Sequence, residues 1–419
     1  MTAVAGILNK QGVAIAADSA VTVSGVGGRK VYNSANKIFT LSKYHPVGIS
    51  IYNSAQFMGI PWEILIKEYR KQLDTKSFPK LLDYKIDFFE WLKANSYFLT
   101  EKSNDFLFFD FLSFLQTIIN EYIRINKIQN NEIEQEKLSE FLRDYVKNEI
   151  PKHKKIESLK ELQKDEFLAQ LNAFIPQIIK VLNENFNSKF VKENFENELI
   201  NAYYEYLIHD QFLQFTGLIF TGYGEEELFP RLFPVNISIV INGLLRYNID
   251  EQKVAIVDNK NNSCIRPFAQ TDVIDTILQG ISPELNDLSS NVFGSFMNGF
   301  VNEVKGIKGM PEEVKVQLDK LNIQNYVNNY QSQFGNIIRQ KYVNPLMGAV
   351  SQLSKEDLAE MAESLVYLTY LKRRFTMAEE SVGGPVDIAV ITKGDGFIWI
   401  KRKHYFKPEL NQSFFKKYL

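Results

Sequence analysis

Residues 1–19 read Met1-Thr2-Ala3-Val4-Ala5-Gly6-Ile7-Leu8-Asn9-Lys10-Gln11-Gly12-Val13-Ala14-Ile15-Ala16-Ala17-Asp18-Ser19, and they decide the fold. Two apolar runs, 3–8 and 13–17, flank the turn-forming residues 9–12. Apolar runs joined by such a turn predict a β-hairpin. The sequence therefore predicts two paired strands at the start of the chain, where a terminus commonly frays unless other segments hold it.

Thr2 is a candidate nucleophile. Met1 precedes small residues, the context in which an initiator methionine is normally removed, and its removal leaves Thr2 with both a hydroxyl and a free α-amino group. A threonine hydroxyl is weak at its own pKa and needs an adjacent base. An α-amino group titrates near 7.7–8.0, which suits proton transfer at neutral pH. One residue then supplies nucleophile and base, and no histidine is needed.

Four features follow one another early in the chain: Thr2, Gly12, Ala16-Ala17-Asp18-Ser19 and Asn36-Lys37-Ile38-Phe39. This order resembles the proteasome β-subunits and the bacterial heat-shock-locus ring protease, which are N-terminal-nucleophile hydrolases, most sharply over residues 2–56. The resemblance implies that Thr2 is the nucleophile and that Asp18 and Lys37 form an ion pair beside it. A nearby ammonium favours the neutral, proton-accepting form of an amine. The spacing from Asp18 is longer than the family's, which leaves Lys30 as the alternative lysine.

The resemblance also implies an oxyanion hole at Tyr52 and Asn53, where the family keeps a glycine pair. A backbone N–H can come from any residue except proline, and asparagine tolerates left-handed geometry better than most residues. The donors are therefore retained in principle. A tyrosine in place of glycine is expected to narrow or block the first specificity pocket.

Supporting polar groups that orient the terminal amine are implied at two further places. Gln270 or Thr271 precedes a predicted helix, where the family has a serine. Helix capping alone is the slightly better explanation of Thr271, because threonine is a favoured N-cap residue. Glu379 and Ser381 stand near the family's Asp and Ser before the glycine pair, displaced and partly substituted.

The expected fold is α/β: the four-layer αββα sandwich of the N-terminal-nucleophile hydrolases, with two β-sheets between helical layers. We expect its core over 1–74 and 213–419, with a partly helical insertion near 281–350. Residues 75–212 are rich in Phe, Tyr, Leu, Lys, Glu and Asn and show helical periodicity. They are predicted to form an inserted all-α domain.

Composition excludes several classes of function. The chain has 419 residues, 45% of them hydrophobic, which is ample for a large core. Lys plus Arg number 48 against 50 for Asp plus Glu, so the net charge of −2 does not indicate a nucleic-acid partner. The basic tail Lys401–Lys403 is too short to change that expectation.

Metal and cofactor chemistry lacks its usual residues. The four histidines, His45, His153, His209 and His404, are widely separated, and Cys264 is the only cysteine. The glycine-rich residues 25–30 lack the complete phosphate-loop pattern, so they do not predict a phosphate-binding site. We expect them to form a mobile loop near the candidate active site. We therefore expect no metal and no organic cofactor.

The expected compartment is the cytoplasm. A single cysteine fits a reducing environment. No run approaches about 18 consecutive apolar residues, and no basic region precedes the apolar N-terminus, so neither a membrane span nor a secretory signal is expected.

These observations predict a threonine-type hydrolase that cleaves peptide or other amide bonds of a peptide or protein substrate through an acyl-enzyme. Members of the family commonly work as closed rings, so the resemblance allows a homo-oligomer. Two alternatives stay open. One is a catalytically inactive scaffold or assembly subunit, favoured by Tyr52 and by any retention of Met1. The other is an amidase of the same mechanism that acts on a small molecule.

Overall fold

The structure is a computed structural model. It describes residues 2–25, 28–99, 102–128, 132–186, 189–191, 195–376 and 382–413. The chain forms two compact units, each described by itself below. The first unit comprises Met1–Ile38, Phe229–Arg231 and Ala255–Leu419, and the second comprises Phe39–Leu228 and Leu232–Val254. An insertion domain bounded at 75–212 stays a prediction.

The strands follow one another along the chain as β1 (Ala3–Asn9), β2 (Gly12–Ala17), β3 (Val21–Gly25), β4 (Gly28–Tyr32), β5 (Ile38–Thr40), β6 (Val47–Asn53), β7 (Gln56–Phe57), β8 (Ile60–Pro61), β9 (Thr216–Gly222), β10 (Arg231–Ile241), β11 (Leu244–Ile249), β12 (Ala255–Ile256), β13 (Ser263–Ala269), β14 (Asp387–Thr392) and β15 (Gly396–Lys401).

The α-helices are α1 (Trp62–Leu73), α2 (Leu81–Ala94), α3 (Lys102–Asn126), α4 (Gln135–Asp144), α5 (Lys164–Asn185), α6 (Glu196–Ile208), α7 (Asp272–Gln279), α8 (Pro283–Lys305), α9 (Glu312–Asp319), α10 (Ile323–Ile338), α11 (Asn344–Val350) and α12 (Lys355–Phe375). This mixture of helices and antiparallel sheets confirms the α/β class.

The first unit is built on one antiparallel sheet with the strand order β13-β1-β2-β14-β15. The predicted hairpin is present, because β1 pairs with β2 from Val4 opposite Ala17 to Asn9 opposite Gly12. Every residue of both strands is buried. Burial of both faces explains why the two runs are almost continuously apolar instead of alternating with polar residues.

Helix α12 covers one face of this sheet. Its Leu358, Ala362 and Val366 share a core with small residues of β1 and β2, such as Ala5 and Ala16. Small side chains on the strands leave room for the helix to approach the sheet closely. The N-cap residue of the helix is Ser354, whose hydroxyl accepts a hydrogen bond from the Asp357 N–H at 3.2 Å.

The second unit has its own sheet, with the strand order β11-β10-β9-β6-β5. Strands β6 and β9 pair antiparallel from Val47 opposite Gly222 to Asn53 opposite Thr216. The unit also contains helices α1 to α6, so the helical segment shares one compact unit with this sheet. Its core is aromatic and includes Trp62, whose indole N–H donates to the Thr216 hydroxyl at 2.9 Å.

A buried arginine closes the end of helix α6. The Arg246 guanidinium is fully buried and donates to the carbonyl oxygens of Tyr206, Leu207, His209 and Gln211. The last carbonyls of a helix have no partner within the helix, and a cation there is favoured by the helix dipole. Arg246 is therefore a structural cap and not a candidate binding residue.

Helix α3 is long and apolar enough, by length and composition alone, to cross a membrane, and it is the one such helix in the ranges described. Its Phe111, Phe114 and Leu115 are buried in the core of the second unit. Asp110 on the same helix accepts a hydrogen bond from the Tyr203 hydroxyl at 2.8 Å. These contacts are those of a helix packed inside a protein core.

Candidate functional site

Thr2 continues strand β1 by one residue. It is buried, and its carbonyl oxygen accepts a hydrogen bond from the Gln270 N–H at 3.1 Å, next to the Ala3–Ala269 pair of strands β1 and β13. This hydrogen bond ties the backbone of Thr2 to the segment that follows β13. Residue 2 is therefore held at the end of an interior strand, where a frayed terminus is the usual expectation.

Asp18 lies directly after strand β2, and its carboxylate binds the backbone of three separate segments. The Oδ1 atom accepts from the Ala3 N–H at 2.9 Å. The Oδ2 atom accepts from the N–H groups of Ala20 and Gly383, each at 3.0 Å. The side chain is buried, so these donors replace the water that an ionised carboxylate would otherwise require.

Lys37 completes the cluster, because its ammonium donates to Asp18 Oδ1 and to the Ala20 carbonyl oxygen, both at 2.6 Å. The same Oδ1 atom thus joins the ammonium to the peptide N–H that follows Thr2. The alternative lysine, Lys30, lies exposed on β4 with its Nζ atom over the Tyr32 ring. Lys37 is therefore the lysine that contacts Asp18.

Burial and neighbouring charges act in opposite directions on the pKa of Lys37. Burial lowers the pKa of its ammonium below the ordinary 10.5, and the charge and hydrogen bond of Asp18 oppose that shift. Two further residues act on this pKa: Lys403 lowers it and Asp387 raises it. An ammonium held in this way places positive charge beside Thr2 without exposing it to solvent.

A glycine pair holds Asp18 and Ser19 from the other side. The Ser19 N–H donates to the Gly383 carbonyl oxygen at 3.0 Å, and the Ser19 hydroxyl donates to the Pro385 carbonyl oxygen at 2.5 Å. Gly384 has a φ of 76°, in the left-handed region that favours glycine. The backbone approaches the site closely here because no side chain intervenes.

We expect Gly384→Ala to lower the free energy of unfolding by about 1 to 3 kcal/mol, because it places a β-carbon on left-handed backbone. That carbon would lie 2.7 Å from Asn33 Cβ and 3.2 Å from Ser19 Cβ. Gly383→Ala is the matched control, since its added carbon would lie 3.6 Å from its nearest neighbour. Urea denaturation of both variants checks this, and equal losses would contradict it.

Three other predicted positions are less informative. Thr271 is the N-cap residue of helix α7, but its hydroxyl makes no capping hydrogen bond there. Its neighbour Gln270 contacts Thr2 through the backbone. Glu379 and Ser381 lie outside the described residues. Their supporting roles stay predictions.

Tyr52 and Asn53 end strand β6 and belong to the second unit. The Tyr52 ring lies over Gly217, where any β-carbon would come within 1.9 Å of its Cζ atom, and its hydroxyl donates to Asn236 Oδ1 at 3.3 Å. Asn53 has a φ of 71°, so it adopts the left-handed geometry that a glycine would otherwise supply. Their role as oxyanion donors stays a prediction.

Sequence reasoning missed one pair of residues. Asp387 is buried at the start of strand β14 and accepts from the Lys403 N–H at 2.8 Å, and the Lys403 ammonium also binds its carboxylate. A signal was present, because Asp387 is the only charged residue in the run 386–392. A lone acid in a strand with two buried faces requires a cationic or hydrogen-bonding partner.

One cavity in the described residues lies away from these positions. It has a volume of about 610 Å³ and lies within the second unit, lined by residues of α4, α5 and α6 together with Val146. Arg143 and Glu198 on its wall pair with each other at 3.4 Å. None of the predicted site residues lines it. Within the described ranges, no group of three His, Cys, Asp or Glu side chains could hold a metal ion.

Comparison with known proteins gives little. No family model and no curated protein sequence matches the chain. The chain is similar to several solved structures, two of which are named next. One is the Anbu (Gly-1) mutant from Hyphomicrobium sp. strain MC1, at 9% identity and a TM-score of 0.27 over 100% of this chain and 94% of that one. The other is Anbu (ancestral beta-subunit) from Yersinia bercovieri, at 9% identity and a TM-score of 0.27 over 99% and 94%.

These findings contradict one prediction. The prediction, made from the early residues, that the chain belongs to the proteasome β-subunit and heat-shock-locus ring protease family is wrong. No family model recognises the chain, and a TM-score of 0.27 is too low to support an inference about fold or function. A function must therefore be argued from the residues of the site.

Proposed function

We propose that the chain is an amide hydrolase that uses Thr2 as an N-terminal nucleophile, with peptides or proteins as substrates. The observation that carries the proposal is the shared oxygen of Asp18, which binds both the Lys37 ammonium and the N–H next to Thr2. Both partners are buried, and burial lowers the pKa of the Lys37 ammonium. A buried ionisable group with a shifted pKa and a charged partner is typical of functional sites.

The reaction begins once cleavage of the Met1–Thr2 bond has freed the α-amino group. The Thr2 hydroxyl oxygen bonds to the substrate carbonyl carbon, and the hydroxyl proton passes to the amine. The carbon–nitrogen bond of the substrate then breaks, the departing nitrogen takes that proton, and an ester to Thr2 remains. Water attacks the ester, releases the acid and restores the hydroxyl. No metal or organic cofactor enters these steps.

Asp18 and Lys37 act on the amine and not on the substrate. Positive charge from Lys37 disfavours a protonated amine nearby, which keeps that amine able to accept a proton. Asp18 prevents the ammonium from leaving the site, since its carboxylate is itself fixed by three backbone donors. Backbone N–H groups at Tyr52 and Asn53 are the proposed oxyanion donors.

Several expectations belong to the same proposal. The four-layer stacking of sheets and helices, a homo-oligomeric assembly and a cytoplasmic location are its further parts. Thr271, Glu379 and Ser381 are proposed to support the amine. Nucleic acid and membrane are not proposed as partners.

Two alternatives use the same chain. A small-molecule amidase would employ the same residues. A catalytically inactive scaffold is favoured by Tyr52, whose ring fills the space over Gly217 at the position where the expected pattern has glycine.

A panel of fluorogenic substrates separates these functions. We expect release of the fluorophore from peptide amides and little from single-acyl amides. The reverse preference would indicate the small-molecule amidase. Turnover of neither class by protein whose Met1 has been removed would indicate the scaffold and overturn the proposed function.

A further inference from the structure

The first unit contains a second buried ion pair beside the first. Asp387 is 2% exposed, and its two carboxylate oxygens are both used by Lys403, one by the backbone N–H and one by the ammonium. The Lys403 side chain is itself only 14% exposed. Surface ion pairs contribute little to stability. A buried ion pair costs free energy, because both charged groups lose water, and it holds two opposite charges at fixed positions.

The sheet register places this pair on the side of Thr2. Asp387 pairs with Ala17, and Ala17 pairs with Val4, so these three residues form one row across β14, β2 and β1. Side chains alternate between the two faces of a sheet, and Thr2 stands two residues before Val4. Asp387 and Thr2 therefore project from the same face, with α-carbons about 12 Å apart on standard strand spacing.

The pairing of β14 with β15 explains how Lys403 reaches Asp387. Strands β14 and β15 pair with a register shift between Ile388 and Ala389, which brings Lys401 opposite Ile388. The chain continues past the end of β15, and the Lys403 N–H then donates to Asp387. The short basic tail, which has no evident role in the sequence, thus brings an ammonium to the end of the sheet that carries Asp18.

We propose that Asp387 and Lys403 are positioning residues that set the charge balance at Lys37, and through it at the amine of Thr2. The second part of this inference rests on the proposed function. The charges of Asp18, Asp387 and Lys403 act on the pKa of the Lys37 ammonium, and the sheet register sets Asp387 opposite Ala17, the residue before Asp18. Asp18 holds Lys37 by direct contact, and the second pair acts through space.

The two members of the pair act with opposite signs. Lys403 lowers the pKa of Lys37 and Asp387 raises it. Lys403→Met removes the positive charge and leaves Asp387 as an uncompensated anion, so the Lys37 titration moves to higher pH. Asp387→Asn leaves Lys403 uncompensated, so the titration moves to lower pH. A residue that merely supports the fold would not produce shifts of opposite sign.

The test is an NMR titration of protein carrying isotope-labelled lysine, with the Lys37 signal assigned from its loss in Lys37→Arg. We expect the Lys37 midpoint to rise in Lys403→Met, to fall in Asp387→Asn and to return towards wild type in the double variant. Lys403→Arg keeps the charge and should keep the midpoint. Lys401→Met is the matched control, since Lys401 pairs with Glu363 at 2.5 Å.

Shifts of the same sign in the two single variants, or unchanged midpoints in both folded single variants, would overturn the inference. If one single variant fails to fold, comparison of the other single variant with the neutral double variant still gives the sign of the shift in the Lys37 midpoint. The pH dependence of electrophile labelling at Thr2 is the second readout, expected to shift in the same directions. If the Lys37 midpoint shifts as expected but Thr2 is not labelled, the effect of the second ion pair on Lys37 stands and the proposed hydrolase function is overturned.

Discussion

Replacing Thr2 with alanine is expected to lower amide hydrolysis by at least about 10³-fold, the scale on which enzymes lose rate with their nucleophile. The backbone of residue 2 keeps its bond to Gln270, so the variant should unfold at nearly the same denaturant concentration as wild type. The measurement is the initial rate on the best peptide amide, with denaturation run in parallel.

Thr2→Ser is the matched control for that experiment. Serine keeps the hydroxyl and the terminal amine, so it should retain part of the activity that alanine loses. Equal hydrolysis rates for Thr2→Ala and wild type would contradict the mechanism, because the mechanism has no nucleophile other than Thr2. A variant that unfolds early would call for comparison with Thr2→Ser, which differs from wild type by one methyl group.

Asp18→Asn is expected to have the second largest effect, on stability and activity together. The carboxylate accepts from Ala3, Ala20, Gly383 and Lys37, and an amide cannot replace it without turning a donor towards other donors. Lys37 would be left buried without its anion. Breaking a buried pair from one side costs about 3 to 5 kcal/mol. We expect a loss of that size in the free energy of unfolding, measured by urea denaturation.

The double variant Asp18→Asn with Lys37→Met tests the reason for that loss. It removes the stranded ammonium along with the carboxylate, so it should be more stable than Asp18→Asn alone. Both variants should lack hydrolytic activity. A double variant less stable than the single one would show that Lys37 stabilises the protein through contacts other than the pair.

The sequence was most informative where local chemistry decides the structure. Two apolar runs around Asn9–Gly12 predicted the hairpin, because a turn between buried strands needs only short-range information. The Asp18–Lys37 pair was predicted only because residues 2–56 resemble those of N-terminal-nucleophile hydrolases, and no local pattern joins the two residues. The structure brings these two residues together.

Long-range contacts were harder to anticipate. Asp387 pairs with Lys403 because of a register shift between β14 and β15, and no local pattern specifies that shift. The glycine-rich residues 25–30 were expected to form a loop, yet Val21–Gly25 pairs with Gly28–Tyr32 as strands. Here backbone pairing between the two strands overrides the preference of glycine for turns.

The contacts that join distant segments into one core are equally hard to predict from local patterns. Helical periodicity over 75–212 predicts an inserted all-α domain, and its boundaries stay a prediction, because periodicity reports which face of a helix is apolar but not what covers it. Trp62 and Phe88, together with Phe220 of the second sheet, belong to one core. Such contacts between distant segments require the three-dimensional structure.

The most direct measurement is peptide mapping by mass spectrometry after reaction with a peptidyl epoxyketone, which needs both a hydroxyl and a free amine to form its ring adduct. We predict a modified N-terminal peptide that begins at Thr2, with Met1 removed. An adduct on any other residue, or a protein that keeps Met1 and does not react, would contradict the assignment of Thr2 as nucleophile and base.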